Sequence, residues 1–140
     1  MVAISVQSVV LREIFEFVAS LLYQDLTGQV IGIAIKVHKN LGPGFVEKVY
    51  QRALYLEFKR AGLKFEREKK IAITYNSANL GYFEVDFVVD NRVILELKAT
   101  QEIGDIHMAQ IISYLKAAEI KVGLILNFAN RSLEWKRVVV

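Results

Sequence analysis

Asp86, Glu96 and Lys98 carry full charges inside segments that otherwise read as buried strand, "YFEVDFVV" (82–89) and "VILELK" (93–98). Charged side chains are almost never fully buried unless paired, bound to metal or in chemical use. By the two-residue period of a strand, Ile94, Glu96 and Lys98 share one face and Val93, Leu95 and Leu97 the other. In the preceding segment Phe83, Val85, Phe87 and Val89 are expected on one face, with Glu84, Asp86 and Val88 opposite.

The connection Asp90-Asn91-Arg92 sets how these two strands meet. A two-residue loop would pair Val89 with Arg92 and Asp86 with Leu95, mixing polar and apolar faces. A three-residue loop pairs Val89 with Val93 and Asp86 with Glu96, and Asn91 tolerates the left-handed conformation such a loop needs. The second register is expected. It brings two carboxylates to about 5 Å at Cβ. At 4 Å and an effective dielectric of 20, two such charges repel by about 4 kcal/mol. Lys98 relieves part of that, and a hard divalent cation relieves it better, since Mg²⁺ favours one or two carboxylates with water and phosphate oxygens. The plainer reading keeps both carboxylates on a half-exposed sheet face with Lys98 as a surface partner.

A third carboxylate comes from a helix expected from about Phe45 to Ala61. On a wheel, Val46, Val49, Tyr50, Ala53, Leu54 and Phe58 form its apolar arc, and Glu47 lies inside that arc. Glu57 falls there too and reads as a structural ion-pairing residue near the far end.

The elements that must position these groups follow from periodicity. Val30, Ile31, Ala34, Ile35 and His38 recur at helical spacing after Thr27, an expected N-cap, up to Leu41. Gly42-Pro43-Gly44 ends that helix, and Gly62 ends the next. Strands are expected over roughly 64–75, 81–89 and 93–98, with Asn76–Asn79 as a turn. A helix over 106–118, a buried strand "KVGLILNF" (121–128) and an edge strand in "SLEWKRVVV" complete the order α-α-β-β-β-α-β-β. That order predicts an α/β sandwich around a mixed sheet.

The 140 residues are 54% hydrophobic, enough for one domain with a sizeable core, and the net charge of +3 is compatible with an anionic partner. With no cysteine there is neither a disulfide framework nor a thiolate metal site, and a cytoplasmic setting is expected. Residues 1–22 are apolar-rich, but Arg12, Glu13 and Glu16 interrupt them, so no membrane span is expected, and no basic region marks a signal peptide. The segment reads either as an extra amphipathic helix, with Val10, Ile14, Phe17, Val18 and Leu21 on one stripe, or as an appendage from an upstream start codon. Residues 23–140 form the main domain.

Asp86 followed ten residues later by "ELK" resembles the metal-binding signature of the PD-(D/E)XK nuclease superfamily. More narrowly, "GFVEKVY" (44–50) is similar to the motif that names its GxxExxY branch. "LTGQVIGIAIKVHKNLGPGFVEKVY", "YFEVDFVVDNRVILELKA", "AQIISYLK" and "VGLILNF" resemble the blocks of that branch in order, over roughly 23–137. The resemblance implies a restriction-endonuclease-like sandwich, a mixed central sheet flanked by helices. It implies a divalent-metal-dependent nuclease using Mg²⁺, or Mn²⁺, on DNA. Asp86, Glu96, Glu47 and the Leu97 carbonyl would be the metal ligands, and Lys98 would orient or deprotonate the attacking water. Gln110 and Tyr114, one helical turn apart, resemble the Q-x-x-x-Y element that braces the site or touches a phosphate. Val85 stands where many members have Pro.

The remaining motifs have plainer readings. His38 and His107 are too separated for a metal pair, and His38 reads as a helix-face hydrogen-bonder. Gly42-Pro43-Gly44 lacks the strand and Lys-Ser/Thr of a phosphate loop. Arg67–Lys70 reads as a solvated strand edge, with a phosphate-contacting rim as the sharper alternative, and Trp135 as packing at the sheet edge. Two other function classes stay open: a non-catalytic nucleic-acid-binding or regulatory protein, and a structural homo-oligomer built through the N-terminal helix.

Overall fold

The computed structural model describes residues 5–140, leaving out the side chains of Ala19, Ser20 and Leu22. Helices α1 (Val6–Leu22), α2 (Gln24–Leu41) and α3 (Glu47–Arg60) precede strands β1 (Phe65–Tyr75), β2 (Ala78–Val89) and β3 (Val93–Lys98); α4 (Asp105–Ala118), β4 (Val122–Asn127) and β5 (Glu134–Val139) follow. The sheet order is β1-β2-β3-β4-β5, antiparallel except for the β3–β4 pair. This is the expected mixed sheet between helical layers.

One face of the sheet packs Phe87, Val89, Leu95, Leu97, Leu124 and Leu126 against Val30, Ala34 and Val37 of α2 and Tyr50, Leu54 and Phe58 of α3. The other packs Val85, Val88, Ile94 and Ile125 against Ile111 and Leu115 of α4. β3 and β4 are buried on both faces up to Leu97 and Asn127, as runs of apolar residues in a parallel pair should be. Gly123 lets α4 approach closely: a Cβ there would stand 2.7 Å from the Ile111 Cδ1.

Local chemistry accounts for the element ends. Gly62, at φ 71°, closes α3 in a Schellman motif, with Gly62 N–H donating to Lys59 O and Leu63 N–H to Phe58 O. The β1–β2 hairpin turns on Asn76-Ser77 alone, both at positive φ, so β2 starts at Ala78 rather than after Asn79. Thr27 is not an N-cap. It is buried inside α2, its hydroxyl donating to Gln24 O, because helix resumes at Gln24 after a break of one residue at Tyr23.

The expected alternation along β2 fails at one point. Phe83 and Val85 lie on the α4 side, whereas Phe87 and Val89 lie on the α2–α3 side. The cause is an interruption of the β1–β2 ladder at Glu68 and Asp86, the one pair missing between Lys69/Val85 and Arg67/Phe87. Glu68 there adopts φ 54°, and the Asp86 N–H turns to the Glu96 carboxylate instead of to β1. Irregularities of this kind re-aim side chains next to functional sites.

None of the described α1 residues joins either core cluster. Val6, Val10, Leu11, Ile14, Phe15, Phe17, Val18 and Leu21 are 44–80% exposed, and Lys121 sits over the Phe15 ring. Among the described residues, no helix is long and apolar enough to cross a membrane.

Candidate active site

The β2–β3 connection has the expected register. Val89 pairs with Val93, Val88 with Ile94 and Phe87 with Leu95, and Asp90 and Asn91 both take positive φ. Continuing by one step brings Asp86 to Glu96, and there the backbone ladder gives way to side chains. The Leu97 N–H donates to Asp86 Oδ2 at 2.8 Å, and the Asp86 N–H donates to Glu96 Oε1 at 3.2 Å. Each carboxylate thus holds the opposite strand.

The environment is hostile to two negative charges. Burial pushes the Glu96 carboxyl up to about 8; the Asp86 charge and, more weakly, Glu47 add to that, while the Asp86 N–H and Lys98 oppose it. The Asp86 carboxyl is also raised by burial, against the Leu97 N–H, Gln51 and the Lys98 and Lys48 charges. Without a cation, burial and the Asp86 charge therefore favour the protonated form of Glu96.

α3 and α4 bring further groups. Gln51, 3% exposed, donates from Nε2 to Asp86 Oδ1 at 2.7 Å. Its Oε1 is buried without a partner, which costs about 1–3 kcal/mol of desolvation. Glu47 lies one turn before Gln51 and is exposed, at the edge of an open recess that it lines with Gly44, Phe45, Val46, Lys48 and Ala99. Lys98 Nζ reaches Gln110 Oε1 at 3.5 Å. Tyr114 stacks on Phe83, with ring centroids 4.0 Å apart, and its hydroxyl pKa is raised by burial and then by the Glu96 charge.

A family model described as the PD-(D/E)XK nuclease superfamily matches residues 24–138. The chain belongs to that superfamily. No curated protein matches it. Among solved structures it is similar to "Crystal structure of SSO0001", with a TM-score of 0.53 and 14% identity over 66% of this chain; at that identity the likeness concerns the fold alone. The match spans 48% of that chain, about half its length.

Within this PD-(D/E)XK domain, Asp86, Glu96, Lys98, Gln110 and Tyr114 lie around the junction of β2, β3 and α4. Glu47 is near enough for its charge to reach Glu96, but it stays on the surface. Among the described residues, no three His, Cys, Asp or Glu side chains stand close enough together to hold a metal ion. The expected carboxylate trio is thus a buried Glu96 beside a half-buried Asp86, with Glu47 exposed on α3.

The plainer assignments are structural in the observed fold. Glu57 pairs with Lys36 and Arg60. His38 is buried with Nε2 3.2 Å from Phe128 O, and His107 Nδ1 accepts from the Gly104 N–H at the start of α4. In the basic run, Arg67 lies over the Tyr55 ring, Lys69 pairs with Glu66 and Lys70 lies over Tyr82. Trp135 is on edge strand β5 and 43% exposed. Gln51 was missed from the sequence. Its signal was there: at 100° per residue it falls in the same arc as Glu47, Leu54 and Phe58, an amide in an apolar stripe.

Proposed function

We propose that the chain is a divalent-metal-dependent nuclease that hydrolyses phosphodiester bonds in DNA, of the GxxExxY branch and acting in the cytoplasm. One observation carries the reading: Asp86 and Glu96 each accept a backbone N–H from the opposite strand, at a place where burial keeps the second charge from forming alone. A cation supplies the missing charge balance. The donors are oxygens throughout, which suits Mg²⁺ or Mn²⁺. Asp86 and Glu96 would hold the cation, with the Leu97 carbonyl beside them and Glu47 reaching in from α3. The unsatisfied Gln51 Oε1 is a further oxygen of the same chemistry.

When bound, the cation lowers the pKa of water and stabilises the charge that develops on the phosphate. Lys98 is held toward α4 by Gln110 and would orient the attacking water and neutralise a non-bridging phosphate oxygen. Tyr114, fixed against Phe83, would brace the Glu96 side of the site. Gln110 is exposed, and its Nε2 would meet a phosphate while Oε1 holds Lys98.

A second reading is a non-catalytic nucleic-acid-binding or regulatory protein on the same fold. The surface position of Glu47 and the missing three-carboxylate cluster among the described residues favour it. Incubating the purified chain with single- and double-stranded DNA and RNA in Mg²⁺, Mn²⁺ or EDTA separates the two. Metal-dependent cleavage of DNA supports the nuclease; nucleic-acid binding without cleavage in any metal supports the binding protein.

A further inference from the structure

Gln51 is a polar side chain that neither the core nor the proposed carboxylate chemistry explains. α3 packs Tyr50, Leu54 and Phe58 into the core, yet the neighbouring amide is 3% exposed and only half satisfied. Its direction is determined. Nε2 donates to Asp86 Oδ1, and rotating the amide by 180° would set Oε1 against a carboxylate oxygen. Oε1 is therefore turned away from Asp86 Oδ1, and nothing in the described protein donates to it. The other Asp86 oxygen is taken by the Leu97 N–H, and the Asp86 N–H by Glu96. The amide thus begins a continuous chain, Gln51 to Asp86 to Glu96, that ends at the buried Glu96 carboxyl. Glu47 stands one helical turn away on the same side of α3. An apolar side chain of equal length would fill the space without leaving an orphan acceptor.

We propose that Gln51 is a positioning residue for the divalent cation, its Nε2 fixing the Asp86 carboxylate and its Oε1 accepting from a water in the cation's shell. The inference rests on the metal-dependent reading above. It adds an uncharged oxygen from α3, one turn further in than the exposed Glu47. Groups that orient a ligand in this way are typically worth about 10–100-fold in metal affinity.

The test uses the full chain with Mn²⁺ alone as the probe, titrated calorimetrically and by the electron paramagnetic resonance signal of free Mn²⁺. Gln51→Met keeps the length and removes both polar atoms. It should leave metal-free melting near wild type and weaken Mn²⁺ binding by about 10–100-fold. Gln51→Glu restores an oxygen toward the cation and adds a charge beside Asp86. It should melt lower without metal, having lost the Nε2 donor to Asp86, and bind Mn²⁺ more tightly than Gln51→Met. Wild-type Mn²⁺ affinity in Gln51→Met overturns the inference while leaving the metal-dependent reading intact. Should Gln51→Met not fold, wild-type Mn²⁺ affinity in folded Gln51→Leu overturns it equally. No Mn²⁺ binding by the wild type removes both.

Discussion

Asp86 and Glu96 exchange backbone hydrogen bonds across the β2–β3 pair: Asp86 Oδ2 accepts from the Leu97 N–H at 2.8 Å, and Glu96 Oε1 accepts from the Asp86 N–H at 3.2 Å. Two acidic side chains thereby do what a ladder would have done one step further along. The strands are joined at this point by groups that titrate.

Stability of the metal-free chain should fall as pH rises through neutrality. Burial and the Asp86 charge raise the Glu96 carboxyl from 4.5 to about 8, so the native state keeps a proton that the unfolded chain has lost. The stabilisation from that proton is full below the unfolded value and is lost as pH rises through the folded one. Between those limits one proton changes stability by about 1.4 kcal/mol per pH unit. Urea unfolding in EDTA across this window measures it, and Glu96→Gln should flatten the slope. Equal slopes in variant and wild type would count against a protonated Glu96.

Asp86→Asn should relax Glu96. The Asp86 charge is the second cause of the raised Glu96 value, so its removal lowers that pKa, as read by carbon-13 NMR of the glutamate carboxyls. Hydrogen bonding survives in large part, since the new amide can still accept from the Leu97 N–H and Gln51 can turn over to accept from it. A cation binding only the native state adds about 2.7 kcal/mol at a hundredfold excess over Kd. The Mg²⁺-dependent melting shift expected of wild type should vanish in Asp86→Asn; an undiminished shift would place the cation elsewhere.

Lys98→Ala should impair the chemical step more than binding. Its amine meets Gln110 and not the interlocked carboxylate oxygens, so the acid pair stays in place without it. Cleavage of DNA in Mg²⁺ should drop by about 100-fold or more, the range for losing a positioned acid–base or electrostatic group. DNA affinity in Ca²⁺ should change little, because only one phosphate contact among the several expected of DNA binding would be lost. Equal loss of affinity and rate would make Lys98 a binding residue instead.

Removing residues 1–22 should leave the remaining domain, 23–140, folded. None of the described α1 residues joins either core cluster, and its large apolar side chains stay 44–80% exposed. The truncated chain should unfold cooperatively with an unchanged Mg²⁺ shift. It should also self-associate less by light scattering, since a patch of that kind favours pairing between copies. Loss of cooperative unfolding would show that α1 is an integral part of the domain.

Much of the site was legible because strand chemistry is local. A three-residue connection, a period of two and the cost of mixing faces were enough to set Val89 against Val93 and bring Asp86 to Glu96. The buried run in β4, the helix end at Gly62 and the ion-pairing role of Glu57 were readable for the same reason. Thr27 misled because a good capping residue is equally at home inside a helix when its hydroxyl finds a carbonyl one turn back.

What the sequence determined by itself is the juxtaposition of Asp86 and Glu96, their spacing and the order of elements that carries them, since these follow from periodicity and turn chemistry. Only the tertiary structure decided which way each group faces. Strict alternation puts Val85 and Phe87 on one face, but the break at Glu68 and Asp86 sends them to opposite layers. A wheel puts Glu47 inside the apolar arc, but it lies in the first turn of α3, where the helix has only begun to meet the sheet, and solvent reaches it. Gln51, one turn further in, is the side chain that α3 buries against Asp86. Burial depends on where a helix enters and leaves its neighbour, a long-range property that local spacing does not contain.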